Sequence, residues 1–424
     1  MPDTATHSIR MIDADPRTVP LDQIDVSQPE LFEQNKHWAF LARLRAEDPV
    51  HYCAASAYGP YWSVTKFNDI AHVEKNHRVF SSEPTITLND PNEEVPFQAF
   101  IQMDPPKHDE QRAAVQGVAE PANVAKLAPI IRERAGKILD ELPVGESFDW
   151  VQHVSIELTT QMLATLFDFP FDLRSKLTYW SDVTGDIVGG ADGNFVSAEE
   201  RNRSMAECLE TFIALWRERE NGPAGNDLIS MLIQSEATRD LVNDPVEYLG
   251  TILMLIVGGN DTTRNSITGG VYALNKYPAE YEKLCANHAL IPNMVSEIIR
   301  WQTPIACQRR NATEDIALGG KQIHKGDKII LWYASGNRDE DVIENPERLI
   351  IDRPRARHHL SFGFGIHRCM GNRLAEMQLR IVWEEIMKRF DRVEVLSEPT
   401  RLKSNMVHGY TEMPVRVHSL KQSS

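Results

Sequence analysis

The chain is expected to fold mainly as α-helix, in one large helical domain with small peripheral β-sheets. Three observations predict this. Apolar residues recur at helical spacing over long stretches, strand-like runs are short and few, and no Pro/Gly/Ser linker, repeat or low-complexity block divides the 424 residues. With 42% hydrophobic and 25% charged residues the composition supplies ample core. A single domain over 1–424 is expected, with residues 1–20 extended or poorly ordered.

Residues 123–142 and 151–168 each read as a helix, and 198–219 as a charged amphipathic helix with Ser197 as its N-cap. Gly189-Gly190-Ala191-Asp192-Gly193-Asn194 reads as a flexible connector between two helices. Strand signals fall at Tyr61 to Val64, Ile316 to Leu318, Lys328 to Trp332 and Val393 to Leu396, with a hairpin turn at Gly319-Gly320. The longest helical candidate lies between Pro245 and Pro278 and, at about 1.5 Å per residue, extends roughly 45 Å. Its middle, Val257-Gly258-Gly259-Asn260-Asp261-Thr262-Thr263, is poor helix-forming sequence, each glycine costing about 1 kcal/mol relative to alanine. A sequence that violates local propensity at its own centre points to function there.

A net charge of −16 argues against nucleic acid or an anionic membrane as partner. The longest clear apolar run, Ile252 to Val257, is far too short to span a bilayer, and Met1 to His7 has none of the features of a secretory leader. A cytoplasmic, soluble monomer without membrane insertion is expected. Five scattered cysteines imply no disulfide framework. One local exception to the acidity runs from Arg353 to Arg380, where Arg353, Arg355, Arg357, Arg368, Arg373 and Arg380 face a single acid, Glu376. Either this is a solvated face with some cofactor contacts, or it is a docking patch for an acidic electron donor.

The most informative stretch is Phe362-Gly363-Phe364-Gly365-Ile366-His367-Arg368-Cys369-Met370-Gly371, followed by a helix opening at Asn372. Backbone N–H groups at a helix start favour an anionic sulfur, and glycines permit close backbone approach to a large flat ligand. A lone buried cysteine would be the bland alternative. The spacing of Phe, Gly, His and Cys resembles the cysteine-loop signature of cytochromes P450. That resemblance implies haem b held by an axial thiolate from Cys369, the metal ligand, with Phe362, Gly363, Gly371 and Gly259 among the cofactor-binding residues. It also implies the cytochrome P450 fold, with the long central helix over the haem.

Further matches follow from the same resemblance. Asp261 and Thr262 occupy the family's acid–alcohol positions, so they are the candidate catalytic residues: the alcohol steadies bound dioxygen and the acid relays protons. His108, Arg112, Arg310 and His367 match positions that contact haem propionates, with Arg309 a rival to Arg310. Glu297-Ile298-Ile299-Arg300 resembles the Glu-x-x-Arg pair, a folding element, although Glu200–Arg203, Glu236–Arg239 and Glu398–Arg401 have the same form. Arg348 is expected as its third member. Gly258 stands where alanine is commoner.

Substrate-binding positions implied by the resemblance are Met254, Val257, Gly258, Ile305, Ala306, Met406 and Val407, with Ile86, Leu88, Phe97 or Phe100 added by the loop from Thr85 to Ile101. They are apolar, so shape rather than polar contact would select the C–H bond. The expected activity is monooxygenation of a small hydrophobic substrate with O2. Terminal hydroxylation of medium-chain alkanes, alcohols or fatty acids is preferred, because residues 255–266 look like the bacterial alkane and fatty-acid hydroxylases. Hydroxylation of cyclic terpenes is the rival. Electrons would come from NAD(P)H through a ferredoxin reductase and a 2Fe–2S ferredoxin, since the chain has no flavin, nicotinamide or ferredoxin motif. A haem-thiolate peroxygenase or isomerase and a haem-based gas sensor are the alternatives from other classes.

Overall fold

The computed structural model describes residues 10–91, 98–188, 196–223 and 225–419. Along these residues run α1 (Pro29–Glu33), α2 (His37–Glu47), α3 (Phe67–Lys75), α4 (Lys107–Gln116), α5 (Pro121–Asp140), α6 (Glu157–Leu166) and α7 (Ser175–Val188). They continue with α8 (Ala198–Glu220), α9 (Leu228–Gln234), α10 (Pro245–Lys276), α11 (Pro278–Ala286), α12 (Ile291–Gln302), α13 (Tyr333–Gly336) and α14 (Asn372–Arg389). The strands are β1 (Val50–Cys53), β2 (Tyr61–Val64), β3 (Phe80–Ser81), β4 (Ser147–Asp149), β5 (Gln308–Ala312), β6 (Ile316–Leu318), β7 (Lys321–Ile323), β8 (Lys328–Leu331), β9 (Phe390–Val395), β10 (Thr400–Arg401), β11 (Tyr410–Glu412) and β12 (Pro414–Ser419). They form one five-stranded sheet ordered β1-β2-β8-β5-β3, a three-stranded sheet β4-β12-β9, and the pairs β6-β7 and β10-β11. A mainly helical domain with small separate sheets is what the periodicity predicts.

Local signals placed several elements closely. Ser197 caps α8 by accepting from the Glu200 N–H at 3.2 Å. Gly319 and Gly320 turn the β6–β7 hairpin at φ +55° and +75°, the left-handed region that glycine enters freely. The helix expected over 151–168 opens as a wider π turn, Val151–Ile156, before α6. β5 escaped the sequence reading because Gln308-Arg309-Arg310-Asn311-Ala312 shows no apolar alternation, yet it pairs with both β3 and β8 and is largely buried. Residues 10–20 also depart from expectation. Met11–Asp13 make a 3-10 turn and Met11, Ile12 and Val19 pack beside α1 and α2, an apolar contact too short to register as a period. The connector 189–194 and Phe97 lie outside the described residues.

The central element is α10, 32 residues long and capped by Asp244, whose side chain accepts from the Glu247 N–H. Its glycines have different reasons. A Cβ on Gly250 would overlap the Gln98 backbone, one on Gly269 the Gln302 side chain, and one on Gly259 would sit 2.9 Å from Leu163 Cδ2. These are close approaches that any side chain would push apart. A Cβ on Gly258 would meet no atom within 4 Å.

α14, which carries the chain away from the cysteine loop, is clamped to α5. Arg132 pairs with Glu384 and Glu385, and Arg389 with Asp140 and Glu385. Burial alone would raise the Glu385 pKa, but hydrogen bonds from Lys388, Arg132 and Arg389 outweigh it and pull the group from 4.5 to about 2. A depressed folded-state pKa stabilises above the unfolded value and is lost as pH falls through the folded one. Glu385→Gln should therefore cost about 2 kcal/mol near neutrality. Thermal melts at stepped pH should show that cost shrinking from pH 4.5 towards 2; a pH-independent gap would refute the clamp.

Candidate active site

The loop before α14 is built on two left-handed glycines, Gly363 at φ +64° and Gly365 at φ +66°. The Cys369 N–H donates to the Phe362 carbonyl at 2.8 Å, closing the loop. Cys369 is exposed. Burial pushes its thiol pKa up, while the Gly371 N–H, Arg112 and Arg368 pull the other way. The helix start alone thus does not make the thiolate. A bound metal cation would, because coordination deprotonates a thiol outright.

The glycines of the loop also serve a neighbour other than the one expected. A Cβ on Gly365 would overlap the Glu74 carbonyl oxygen, and one on Gly363 would lie 3.2 Å from Glu74 Oε1. Gly363 and Gly365 therefore also pack the loop against α3. Gly259, likewise, faces Leu163 of α6. Gly371 has no heavy atom within 4 Å of a built Cβ, and Phe362, partly buried, leans on His359 with ring centroids 5.3 Å apart.

Four basic side chains expected from separate parts of the chain converge. His108 and His367 meet edge to face with centroids 4.3 Å apart. Arg112 Nη2 donates to the Arg368 carbonyl at 2.5 Å. Burial, then the charges of Arg310, His108 and Arg112, push His367 down to about 2. The Nε2 atoms of both histidines are buried without a hydrogen-bond partner. Two guanidinium cations, Arg112 and Arg310, beside neutral histidines with unpaired ring nitrogens suit an anionic group, and the two carboxylates of a haem fit that chemistry. Of the two rival arginines, Arg309 turns to Asp90 at 2.9 Å and Asn311 at 2.8 Å, while Arg310 bonds Glu74 at 3.4 Å. Alternation along β5 sends the neighbours to opposite faces.

On α10, Met254, Val257 and Thr262 are partly exposed and Gly258 is exposed, although the helix runs through the interior. Residues 254, 258 and 262 follow i, i+4 spacing and share one face. Thr262 Oγ1 donates to the Gly258 carbonyl at 3.0 Å. Asp261 does not join it there. Its carboxylate is buried, accepting from Ser181 at 3.3 Å and Asn260 at 3.3 Å and pairing with Arg264 at 3.1 Å, which also holds Asp182 at 2.8 Å. Burial raises the Asp261 pKa, with Arg264 opposing.

Among the other apolar positions, Ile305 is partly buried and bridges to Val407, itself buried beside Met406. Leu88 and Ala306 show almost no open surface and belong to the core cluster that includes Phe32, Phe40 and Trp332. One correction concerns the Glu-x-x-Arg network. Glu297 and Arg300 form a bidentate buried pair at 2.8 Å, and the third member is Arg353, whose Nε donates to Glu297 at 2.9 Å. Arg348 is exposed and lends only its backbone carbonyl. Arg353 therefore leaves the surface patch, while Arg355, Arg357, Arg368, Arg373 and Arg380 stay exposed.

The family model described as Cytochrome P450 matches residues 67–411. The chain belongs to the cytochrome P450 family. This P450 is 33% identical over 413 residues to linalool 8-monooxygenase of Pseudomonas putida, covering 93% of this chain and 99% of the relative. It is 29% identical to the methyl-branched lipid omega-hydroxylase of Mycobacterium bovis, covering 94% and 96%. Among solved structures, cytochrome P450-153 from Novosphingobium aromaticivorans superposes with TM-score 0.86 at 45% identity, covering 93% and 99%. CYP153D17 from Sphingomonas sp. PAMC 26605 superposes with TM-score 0.87 at 47% identity, covering 94% and 100%. The P450 is a monooxygenase whose cofactor is haem with a cysteine thiolate, and it acts on a substrate with O2. No described helix is long and apolar enough to cross a membrane.

Glu74, Ser181, Asp182 and Arg264 escaped the sequence reading, as did the pairing of Arg353 with Glu297. Glu74 and Arg353 act across long separations with no motif to mark them. Arg264 carried a signal, i, i+3 from Asp261, that could have been used.

Proposed function

We propose that this P450 hydroxylates the terminal carbon of an unfunctionalised alkyl chain, in medium-chain alkanes, alcohols or fatty acids. The observation that carries the proposal is the makeup of the open α10 face. Met254, Val257 and Gly258 lead to a single hydroxyl at Thr262, already committed to the Gly258 carbonyl, while Asp261 is turned into protein. A substrate on that face meets hydrocarbon, and its orientation is left to shape. The name of the omega-hydroxylase relative supports attack at a chain end. The linalool 8-monooxygenase likeness keeps terpenoids as the second reading.

Haem, when bound, supplies the iron that activates dioxygen. Cys369 would provide the sulfur ligand, with the Gly371 N–H bonding that sulfur. Arg112 and Arg310 would neutralise the haem carboxylates, and His108 and His367 would donate ring N–H groups to them. Thr262 Oγ1 would hold a proton on the open face, released from the Gly258 carbonyl by rotation about χ1. Asp261 would deliver protons by leaving Arg264, its raised pKa making it a readier proton carrier than a surface acid. The exposed arginines around the loop would dock an acidic 2Fe–2S ferredoxin, reduced by an NAD(P)H-dependent reductase.

The test is a titration of ferric protein with octane, decanoic acid and limonene. A low-to-high-spin shift with octane or decanoic acid, followed by a terminal alcohol as product, supports the reading. A shift with limonene alone moves the assignment to cyclic terpenes. In the same assay Thr262→Ala should bind substrate normally but divert several-fold more NADH to peroxide; unchanged coupling removes Thr262 from the proton path.

A further inference from the structure

The last turn of α3 carries a carboxylate that reaches three other parts of the chain. Glu74 is 4% exposed. Its Oε2 accepts the Phe364 N–H at 2.6 Å, and its Oε1 accepts the Tyr333 hydroxyl at 2.5 Å and Arg310 Nη2 at 3.4 Å. Its backbone carbonyl is the atom against which Gly365 closes, and the neighbouring Lys75 ammonium lies over the Phe364 ring at 5.1 Å. A buried carboxylate in the final turn of a helix is doubly disfavoured, by desolvation and by the negative end of the helix dipole. Its retention there is accounted for by the bonds it makes.

Those bonds join the two halves of the cofactor site. Phe364 lies in the loop that delivers Cys369, whose own N–H is tied back to Phe362. Arg310 belongs to the basic cluster with His108, Arg112 and His367. We propose that Glu74 is a positioning residue for the haem thiolate: it fixes the cysteine loop at Phe364 and aims Arg310 at the haem carboxylates. The proposal rests on Cys369 as ligand and goes beyond it. The carboxylate sets loop register through its acceptor atoms. Through its charge it offsets part of the positive charge of the cluster and so disfavours the reduced iron.

The experiment uses the haem-loaded protein and its Glu74→Gln and Glu74→Ala variants. A thiolate-type ferrous–CO band in the wild type establishes the ligand, so a failure of the ligand assignment is seen before any variant is read. Glu74→Ala should lose part of that band to the thiol-type form and speed amide exchange at Phe364 about tenfold, the loss of one hydrogen bond to a charged acceptor. Glu74→Gln retains an acceptor oxygen and should restore the thiolate band, yet its midpoint potential should rise because a negative charge has gone. Where Glu74→Ala does not fold, Glu74→Gln decides alone through its potential. Wild-type band and Phe364 exchange in a folded Glu74→Ala protein, or an unchanged potential in Glu74→Gln, overturns the proposal.

Discussion

Cys369→Ser should abolish the thiolate-type ferrous–CO band and bring oxygen-dependent turnover to background, while the protein remains folded. The expected loss follows from the ligand: a serine hydroxyl is a far weaker acid than a thiol and offers iron a hard, weakly donating oxygen. No other cysteine can substitute. Cys53, Cys208 and Cys307 are buried elsewhere, with burial pushing each thiol up, and Cys285 lies at the end of α11. Folding should be spared because Cys369 is exposed, so serine leaves no packed cavity, and changes at such positions usually stay within about 0.5 kcal/mol. A haem-free melt beside the haem-loaded spectrum separates the two effects. A serine variant that keeps the thiolate band would remove Cys369 from the iron.

Glu297→Gln should be the most damaging change to stability. Glu297 and Arg300 are both 0% exposed, and Arg353 is 7% exposed. One carboxylate serves Arg300 through two bonds, Arg353 through one, and the Ile350 N–H at 3.0 Å. Replacing it by an amide leaves two buried guanidinium groups without a counter-charge, a loss of about 3–5 kcal/mol. That is a large share of the 5–15 kcal/mol or so that holds a typical domain folded. Expression should fall, and the ratio of haem to protein absorbance should fall with it, because α12 and the segment 345–353 would no longer be held together. Arg353→Ala should share the phenotype, whereas Arg348→Ala should melt within about 0.5 kcal/mol of wild type. Equal tolerance of changes at 297, 348 and 353 would refute the network as described.

Much of this was legible in the sequence because it is written in local patterns. Helical period placed α5 and α8, Pro245 and Pro278 bracket α10, and the cysteine-loop residues marked Cys369 before any contact was known. The Asp261–Thr262 pair was legible as a break in helix propensity, but not the direction of its side chains. The two adjacent residues lie about 100° apart around the helix, so one faces open space and the other meets α7.

The cysteine-loop residues thus carried the resemblance that named the family and the iron ligand candidate, and helical period located α5, α8 and α10. The tertiary structure decided who holds them. It chose Arg353 over Arg348, turned Arg310 and not Arg309 towards the basic cluster, and packed Gly363 and Gly365 against Glu74, whose side chain meets Phe364 across 290 positions of chain. The reason is physical: period and propensity act over a few residues, whereas desolvation forces each buried charge to find a partner wherever the fold brings one.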